Sequence, residues 1–168
     1  IEVGADFLIA CDGARSAVRQ ALNLPLRHWR TGQMALTTVV RTQNPHSYTA
    51  WQRFLLDGPL ALLPSKDPHL CSIVWSQSEA NAEARVALTD AEFCRVLTRA
   101  SEGCLGEVQA VGPRQVFPLN QQLAATAYPN ERVLLLGDAL RVIHPLAGLG
   151  VNLGCLLYTS DAADELCS

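Results

Sequence analysis

Four apolar residues, Val133-Leu134-Leu135-Leu136, run directly into Gly137-Asp138-Ala139-Leu140-Arg141-Val142-Ile143-His144-Pro145-Leu146-Ala147-Gly148-Leu149-Gly150-Val151-Asn152. A short apolar block ended by glycine reads as a buried strand. The residues that follow cannot continue it. Gly137 and Asp138 turn the chain, Pro145 fixes one backbone torsion, and Gly148 and Gly150 permit torsions that other residues resist. A helix is expected from about residue 150. Strand, glycine-rich turn and helix in that order constrain the chain to an α/β arrangement, with the turn at the carboxyl end of the strand. A weaker form of the same design stands near the start, where apolar residues 5–10 lead into Cys11-Asp12-Gly13-Ala14-Arg15-Ser16-Ala17-Val18-Arg19.

Such turns suit a large cofactor with a hydroxylated chain and an anionic centre. Asp138, at a strand's carboxyl end, can accept hydrogen bonds from sugar-like hydroxyls. Gly148 and Gly150 let backbone come close to a ligand. A helix starting near Val151 and Asn152 offers unpaired amides and a positive dipole end. Pro145 presents a flat face. A bare Gly-Asp turn is commonly just a tight connection, but Pro145, Gly148, Gly150 and Asn152 following in order favour the cofactor reading.

Between the two turns the pattern changes. Residues 14–22 read as a helix with Ala14, Ala17, Val18, Ala21 and Leu22 on one face, stopped by Pro25. Residues 35–42, 51–57, 60–63 and 70–76 read as strands broken by Asp57-Gly58-Pro59 and by the loop 64–68. Residues 78–86 look helical. Thr89-Asp90-Ala91-Glu92 is a capping box that opens a helix to about residue 100. Residues 108–118 return to strand, a polar loop follows, and 133–136 is the last strand. The expected fold class is therefore α/β (α+β overall). The expected divisions are 1–27, 28–118 and 119–154, with the middle one mainly antiparallel β.

Composition narrows the function. A net charge of -3 over 168 residues, without a basic tract, argues against nucleic acid. No run approaches the ~18 apolar residues of a membrane span. Cys11, Cys71, Cys94 and Cys104 lack metal-ligand spacing and read as reduced, mostly buried thiols, so no metal is expected and the cytoplasm fits best. His28, His46 and His69 read as loop or surface residues. Trp29, Trp51 and Trp75 read as core, with a lining for a hydrophobic tail as the sharper alternative.

The run 137–152 resembles the flavin signature GDAAHxxxPxxGxGxN of aromatic-hydroxylase-type FAD-dependent monooxygenases. Residues 12–19 resemble that family's Asp-Gly motif, DGxxSxxR. The stretches Ile143-His144-Pro145-Leu146-Ala147-Gly148, Asp67 to Ser76 and Arg114 to Leu119 are most similar to the ubiquinone-biosynthesis hydroxylase branch, the 2-polyprenylphenol hydroxylase type among them. The resemblance spans about residues 4–154. It implies a partial, doubly wound FAD-binding domain interrupted by an antiparallel β substrate domain. It implies FAD held by Asp12, Gly13, Arg19, Gly137, Asp138, Pro145, Gly148, Gly150, Val151 and Asn152. It further implies NAD(P)H as reductant, O2 as co-substrate, and a flavin C4a-hydroperoxide delivering oxygen to a lipophilic phenol. Peripheral membrane or ubiquinone-biosynthesis complex association follows from that substrate. His144 is the one imidazole beside the flavin loop. A proton role is weighed there against a structural, hydrogen-bonded histidine.

The chain departs from the family at Leu140-Arg141, usually Ala-His, and at Leu149, often Gln. Leu140 adds bulk where the family is small. The opening Ile1-Glu2-Val3-Gly4 reads as the interior of a longer chain, with the family's GxGxxG turn expected upstream. Residues 155–168 read as a translated sequencing adapter, excluded from functional reasoning. The expectation is an internal fragment that alone holds FAD weakly and does not turn over. The alternatives are a non-catalytic nucleotide-binding or assembly module of the same fold, and a soluble aromatic-acid hydroxylase.

Overall fold

The computed structural model describes residues 4–143. The elements run β1 (Leu8–Ala10), α1 (Ala17–Ala21), β2 (Leu26–Thr42), β3 (Trp51–Leu55), β4 (Gly58–Pro64), β5 (Leu70–Ser78), α2 (Glu79–Ala87), α3 (Asp90–Ala100), β6 (Val108–Val111), β7 (Gln115–Ala124), β8 (Val133–Leu135), a 3-10 turn (Gly137–Ala139) and β9 (Arg141–Val142). They form two compact units. The first combines the described parts of Ile1–Thr31 and Asn120–Ser168; the second is Gly32–Leu119.

In the first unit β1 and β8 pair in parallel, Leu8 opposite Val133, Ile9 opposite Leu134 and Ala10 opposite Leu135. The end of β7 pairs with β9 through Gln122 and Leu123. Ala10, Ala124 and Leu135 are buried together, with Val18, Leu24, Leu26 and Leu140 packed against them. The helix expected over 14–22 is shorter at its start. Gly13 takes a φ of 83°, the Ser16 amide closes a turn on the Gly13 carbonyl at 3.0 Å, and only then does Ser16 cap α1 by accepting from the Arg19 amide. A left-handed glycine and a side-chain cap fix the boundary three residues after Ala14.

In the second unit the strands lie in the order β3-β4-β5-β2, and β6 pairs with β2 as well. All these pairs are antiparallel. Leu36 and Leu60 both face Trp75, Val40 faces Cys71, and Leu62 faces Ile73. Because side chains alternate along a strand, these residues share one face. Phe93 and Leu97 of α3 join them in the main core. The capping box is present as read, with Thr89 accepting from the Glu92 amide and Glu92 reaching back to the Thr89 amide.

Further boundaries differ from the sequence reading. The strand expected at 35–42 begins at Leu26, because its polar first half pairs through backbone that needs no apolar alternation. The expected strand 108–118 is two, β6 and β7, with Gly112 and Pro113 between them. Moreover, β7 runs on to Ala124 through the segment read as a polar loop. The break placed at 57–59 is a tight hairpin: Leu55 pairs with Gly58, whose φ is 140° and whose added Cβ would collide with the Ser76 carbonyl. No helix among the described residues is long and apolar enough to cross a membrane.

Candidate functional site

The parallel register of β1 and β8 places the two glycine turns side by side. Ala10 and Leu135 are direct partners, and the Leu136 amide donates to the Ala10 carbonyl at 3.0 Å. Cys11-Asp12-Gly13 therefore leaves one strand's carboxyl end where Gly137-Asp138-Ala139 leaves its neighbour's. The carboxyl edge of parallel strands is where α/β proteins take ligands. Gly13 and Gly137 have φ of 83° and 56°, and a Cβ added at either meets nothing within 4 Å. Both turns thus leave open space beside a backbone bent in a way that favours glycine. That is a cradle which can admit the backbone-hugging, anionic part of a dinucleotide.

The two aspartates do different work. The Asp12 carboxylate accepts from the Val18 amide at 3.2 Å. Burial pushes its pKa up, but hydrogen bonds from the Ser16 hydroxyl and from the amides of Val18, Asp12 and Ala17 outweigh this and hold it below the ordinary value. Asp12 thus shapes the turn and the start of α1. Asp138 is exposed, and among the described residues no hydrogen bond or ion pair engages its carboxylate.

Arg19 is 4% exposed, so it is not a solvated helix residue. Its guanidinium donates to the Ala14 carbonyl at 2.6 Å and to the Ala139 carbonyl at 2.7 Å. Gln122 Nε2 adds a bond to the Ala14 carbonyl at 2.8 Å. Arg19 therefore holds the first turn against the second from behind. Sequence reasoning missed Gln122 and the Ala139 carbonyl, and no local pattern marks either.

Leu140 resolves one departure from the family pattern. Its side chain packs against the Ala10, Ala124 and Leu135 core, while its backbone accepts from the Ala124 amide at 2.8 Å. The extra bulk fills the core beneath the turn. Arg141 is exposed on β9. His144, Pro145, Gly148, Gly150, Val151 and Asn152, together with the tail 155–168, lie outside the described residues.

Other expectations divide. Trp75 is 1% exposed and belongs to the core, but Trp29 and Trp51 are 44% and 42% exposed. Trp29 sits where β2 shows every side chain to solvent, and Trp51 opens β3, which ends the strand order β3-β4-β5-β2. His46 is a buried loop residue. Its Nδ1 accepts from the Tyr48 amide and its Nε2 donates to the Asp67 carbonyl, each at 3.0 Å. His69 is half-buried, with Nδ1 on the Thr42 carbonyl, and His28 is exposed. Cys71 and Cys94 are buried, Cys104 is half-buried and Cys11 is exposed, all as free thiols. Burial pushes the first three up in pKa, which keeps them protonated and unreactive. No metal-binding cluster occurs among the described residues.

Parallel strands with paired glycine turns at their carboxyl ends have the layout of a dinucleotide-binding domain. The sequence matches the FAD binding domain family over residues 1–159, and the chain belongs to that family. It is similar to the ubiquinone hydroxylase UbiL of Rhodospirillum rubrum, 36% identical over 90% of this chain and 35% of the relative. It is also similar to the 3-demethoxyubiquinol 3-hydroxylase of Escherichia coli, 34% identical over 90% of this chain and 38% of the relative. Its fold matches that of CmlS, a flavin-dependent halogenase, with a TM-score of 0.67 and 20% identity over 98% of this chain and 33% of that one. The chain spans well under half the length of these curated relatives.

Proposed function

We propose that this chain carries part of the flavin site of a longer monooxygenase. The enzyme hydroxylates the ring of a polyprenylphenol on the route to ubiquinone, with NAD(P)H as reductant and O2 as co-substrate. One observation carries the reading: two glycine turns, far apart in sequence, leave neighbouring parallel strands at the same edge with open space beside both glycines. The relatives named for ubiquinone hydroxylation support the pathway. In this reading 1–27 and 119–154 contribute to the FAD-binding domain, and 28–118 forms the substrate sheet. Asp138 accepts from the ribityl chain or its neighbouring hydroxyls. Gly13 and Gly137 let backbone lie along the diphosphate. Asp12 and Arg19 set the turns. Pro145, Gly148, Gly150, Val151 and Asn152 keep the roles that the resemblance implies.

FAD, when bound, supplies the redox chemistry that activates O2 for transfer of one oxygen atom to an electron-rich ring. The protein's own part is to hold, orient and dry that site. The test uses the protein with its full native sequence. One FAD per chain, and NAD(P)H- and O2-dependent hydroxylation of a short-chain polyprenylphenol, are expected. Protein that stays free of FAD at saturating cofactor overturns the reading in favour of a non-catalytic module. Turnover of hydroxybenzoate without the prenylated phenol overturns the substrate class.

A further inference from the structure

Gln122 stands near the end of β7, in a stretch whose polar residues read as loop, and it meets the two glycine turns by different means. Its main chain faces Val142 of β9, and Leu123 beside it faces Arg141. The Ala124 amide donates to the Leu140 carbonyl at 2.8 Å. The end of β7 is therefore the template on which residues 140–142 are laid as they leave the turn at Gly137-Asp138-Ala139. The Gln122 side chain reaches the other turn. Its Nε2 donates at 2.8 Å to the Ala14 carbonyl, 108 residues earlier in the chain. That carbonyl also accepts from the Arg19 guanidinium at 2.6 Å.

Two tethers do what one cannot. Arg19 joins the Ala14 carbonyl to the Ala139 carbonyl, but a turn held through one side chain can still swing about it. Gly13, beside Ala14, has no side chain with which to brace the turn, and a Cβ there would meet nothing within 4 Å. Gln122 supplies the second hold, from a strand that is itself paired. The contacts then close a ring. It runs from Ala14 through Arg19 to Ala139, along the chain to Val142, across the pairing of β9 with β7 to Gln122, and back to Ala14. We infer that Gln122 is a positioning residue of the flavin site. It holds the Asp12-Gly13 turn at the separation from the Gly137-Asp138 turn that lets an FAD diphosphate lie along both. The inference rests on the proposed function for the identity of the cofactor. The effect of Gln122 on that cofactor is indirect, through the turn that it holds.

The experiment is titration of the cofactor-free, full native protein with FAD, followed by flavin fluorescence, beside amide hydrogen exchange of the same protein without FAD. Gln122→Met keeps the length of the side chain and removes its donor. It is expected to weaken FAD binding by about three- to tenfold, the size of one neutral hydrogen bond. Gln122→Glu keeps the shape but sets a charged acceptor against the Ala14 carbonyl, and should weaken binding at least as much at neutral pH. As the pH falls and that carboxyl takes up a proton it becomes an O–H donor, so its deficit against the parent should narrow while that of Gln122→Met persists. Hydrogen exchange separates positioning from stability. The Ser16 amide, which donates to the Gly13 carbonyl inside the turn, should exchange faster in Gln122→Met, whereas the Leu135 amide, on the Ala127 carbonyl, should not change. Equal acceleration at both amides marks a general loss of stability and overturns the inference. A parent that takes up FAD no more tightly than Gln122→Met sinks this inference alone. A parent that takes up no FAD sinks the proposed function, and this inference with it.

Discussion

The Arg19 guanidinium donates to the Ala139 carbonyl at 2.7 Å across 120 residues of sequence, while its other nitrogen holds the Ala14 carbonyl. A buried charge is tolerated only when it is well paired by hydrogen bonds, and here both partners are turn carbonyls. Arg19→Met keeps much of the volume but removes every donor, leaving two carbonyls without these partners. A loss of about 3–6 kcal/mol in urea unfolding is expected, from two hydrogen bonds to a charged donor at roughly 1.5–3 kcal/mol each. FAD affinity should fall with it, because the two turns no longer share a fixed separation. Arg19→Lys, a single-point donor that cannot fork, should recover only part of either loss. Wild-type stability in Arg19→Met would refute the tie.

The two aspartates should separate cleanly. Among the described residues no hydrogen bond or ion pair engages the Asp138 carboxylate, so Asp138→Ala is expected to leave thermal unfolding of the cofactor-free protein unchanged and to weaken FAD binding by about tenfold or more, the size of a lost charge-assisted hydrogen bond. Asp12 is engaged by the Val18 amide and the Ser16 hydroxyl. Asp12→Ala should therefore lower the melting temperature even without FAD. Fluorescence titration of FAD beside melting curves decides between them, and the reverse pattern would exchange their roles.

Much of this site was legible in the sequence because its signals are local. Gly13 and Gly137 sit where a strand must turn, and Thr89 stands where a helix needs a cap, whereas the Ser16 cap was missed and its helix read from Ala14. The rest was not legible, because it depends on register. Nothing near Arg19 announces Ala139 as its partner; only the pairing of Ala10 with Leu135 brings them together. Leu140 reads as an intrusion into the pocket until the fold turns its side chain into the core. His46 reads as a loop or surface residue, and its burial went unread because a loop leaves no periodicity to detect. The strand before Ala35 was missed for a related reason, as its polar residues carry no alternation although its backbone is paired.

Asp57, at the β3–β4 hairpin, serves the start of α2 from another element. Its carboxylate accepts from the Ser78 amide at 3.2 Å and from Asn81 Nδ2 at 2.5 Å, with Arg85 at 3.7 Å. Ser78 itself makes no side-chain cap, so Asp57→Ala should cost about 1–2 kcal/mol, the range of a lost helix cap. Burial pushes the Asp57 carboxyl up, but the bonds from Asn81 and Ser78 and the charge of Arg85 outweigh it and leave the pKa lowered. A lowered folded-state pKa means the contribution is complete above the unfolded value, near pH 4. It fades as pH falls through the folded value. The stability difference between parent and Asp57→Asn should therefore be constant from pH 5 to 7 and shrink below about pH 4. A gap that widens on acidification would contradict the assignment.

Phe93 marks where the second unit is held together. It is fully buried on α3 and shares a core with Leu36, Trp75 and Leu97. The Arg114 guanidinium lies 5.2 Å from its ring centre. Arg114 is independently anchored, donating to the Leu88 carbonyl at 2.7 Å and to Asp90 at 3.0 Å. It should therefore stay in place when the ring is removed, so that the loss reports packing. Phe93→Ala is expected to cost about 3–5 kcal/mol in urea unfolding, as for other large aromatic deletions. Phe93→Leu, closer in volume, should cost no more than roughly 1.5 kcal/mol. Because Phe93 lies in the second unit and Arg19 in the first, with no shared partners, their unfolding penalties should add to within about 0.5 kcal/mol in the double variant Arg19→Lys/Phe93→Leu. A larger deviation in that cycle would mean that the two cores unfold as one coupled network.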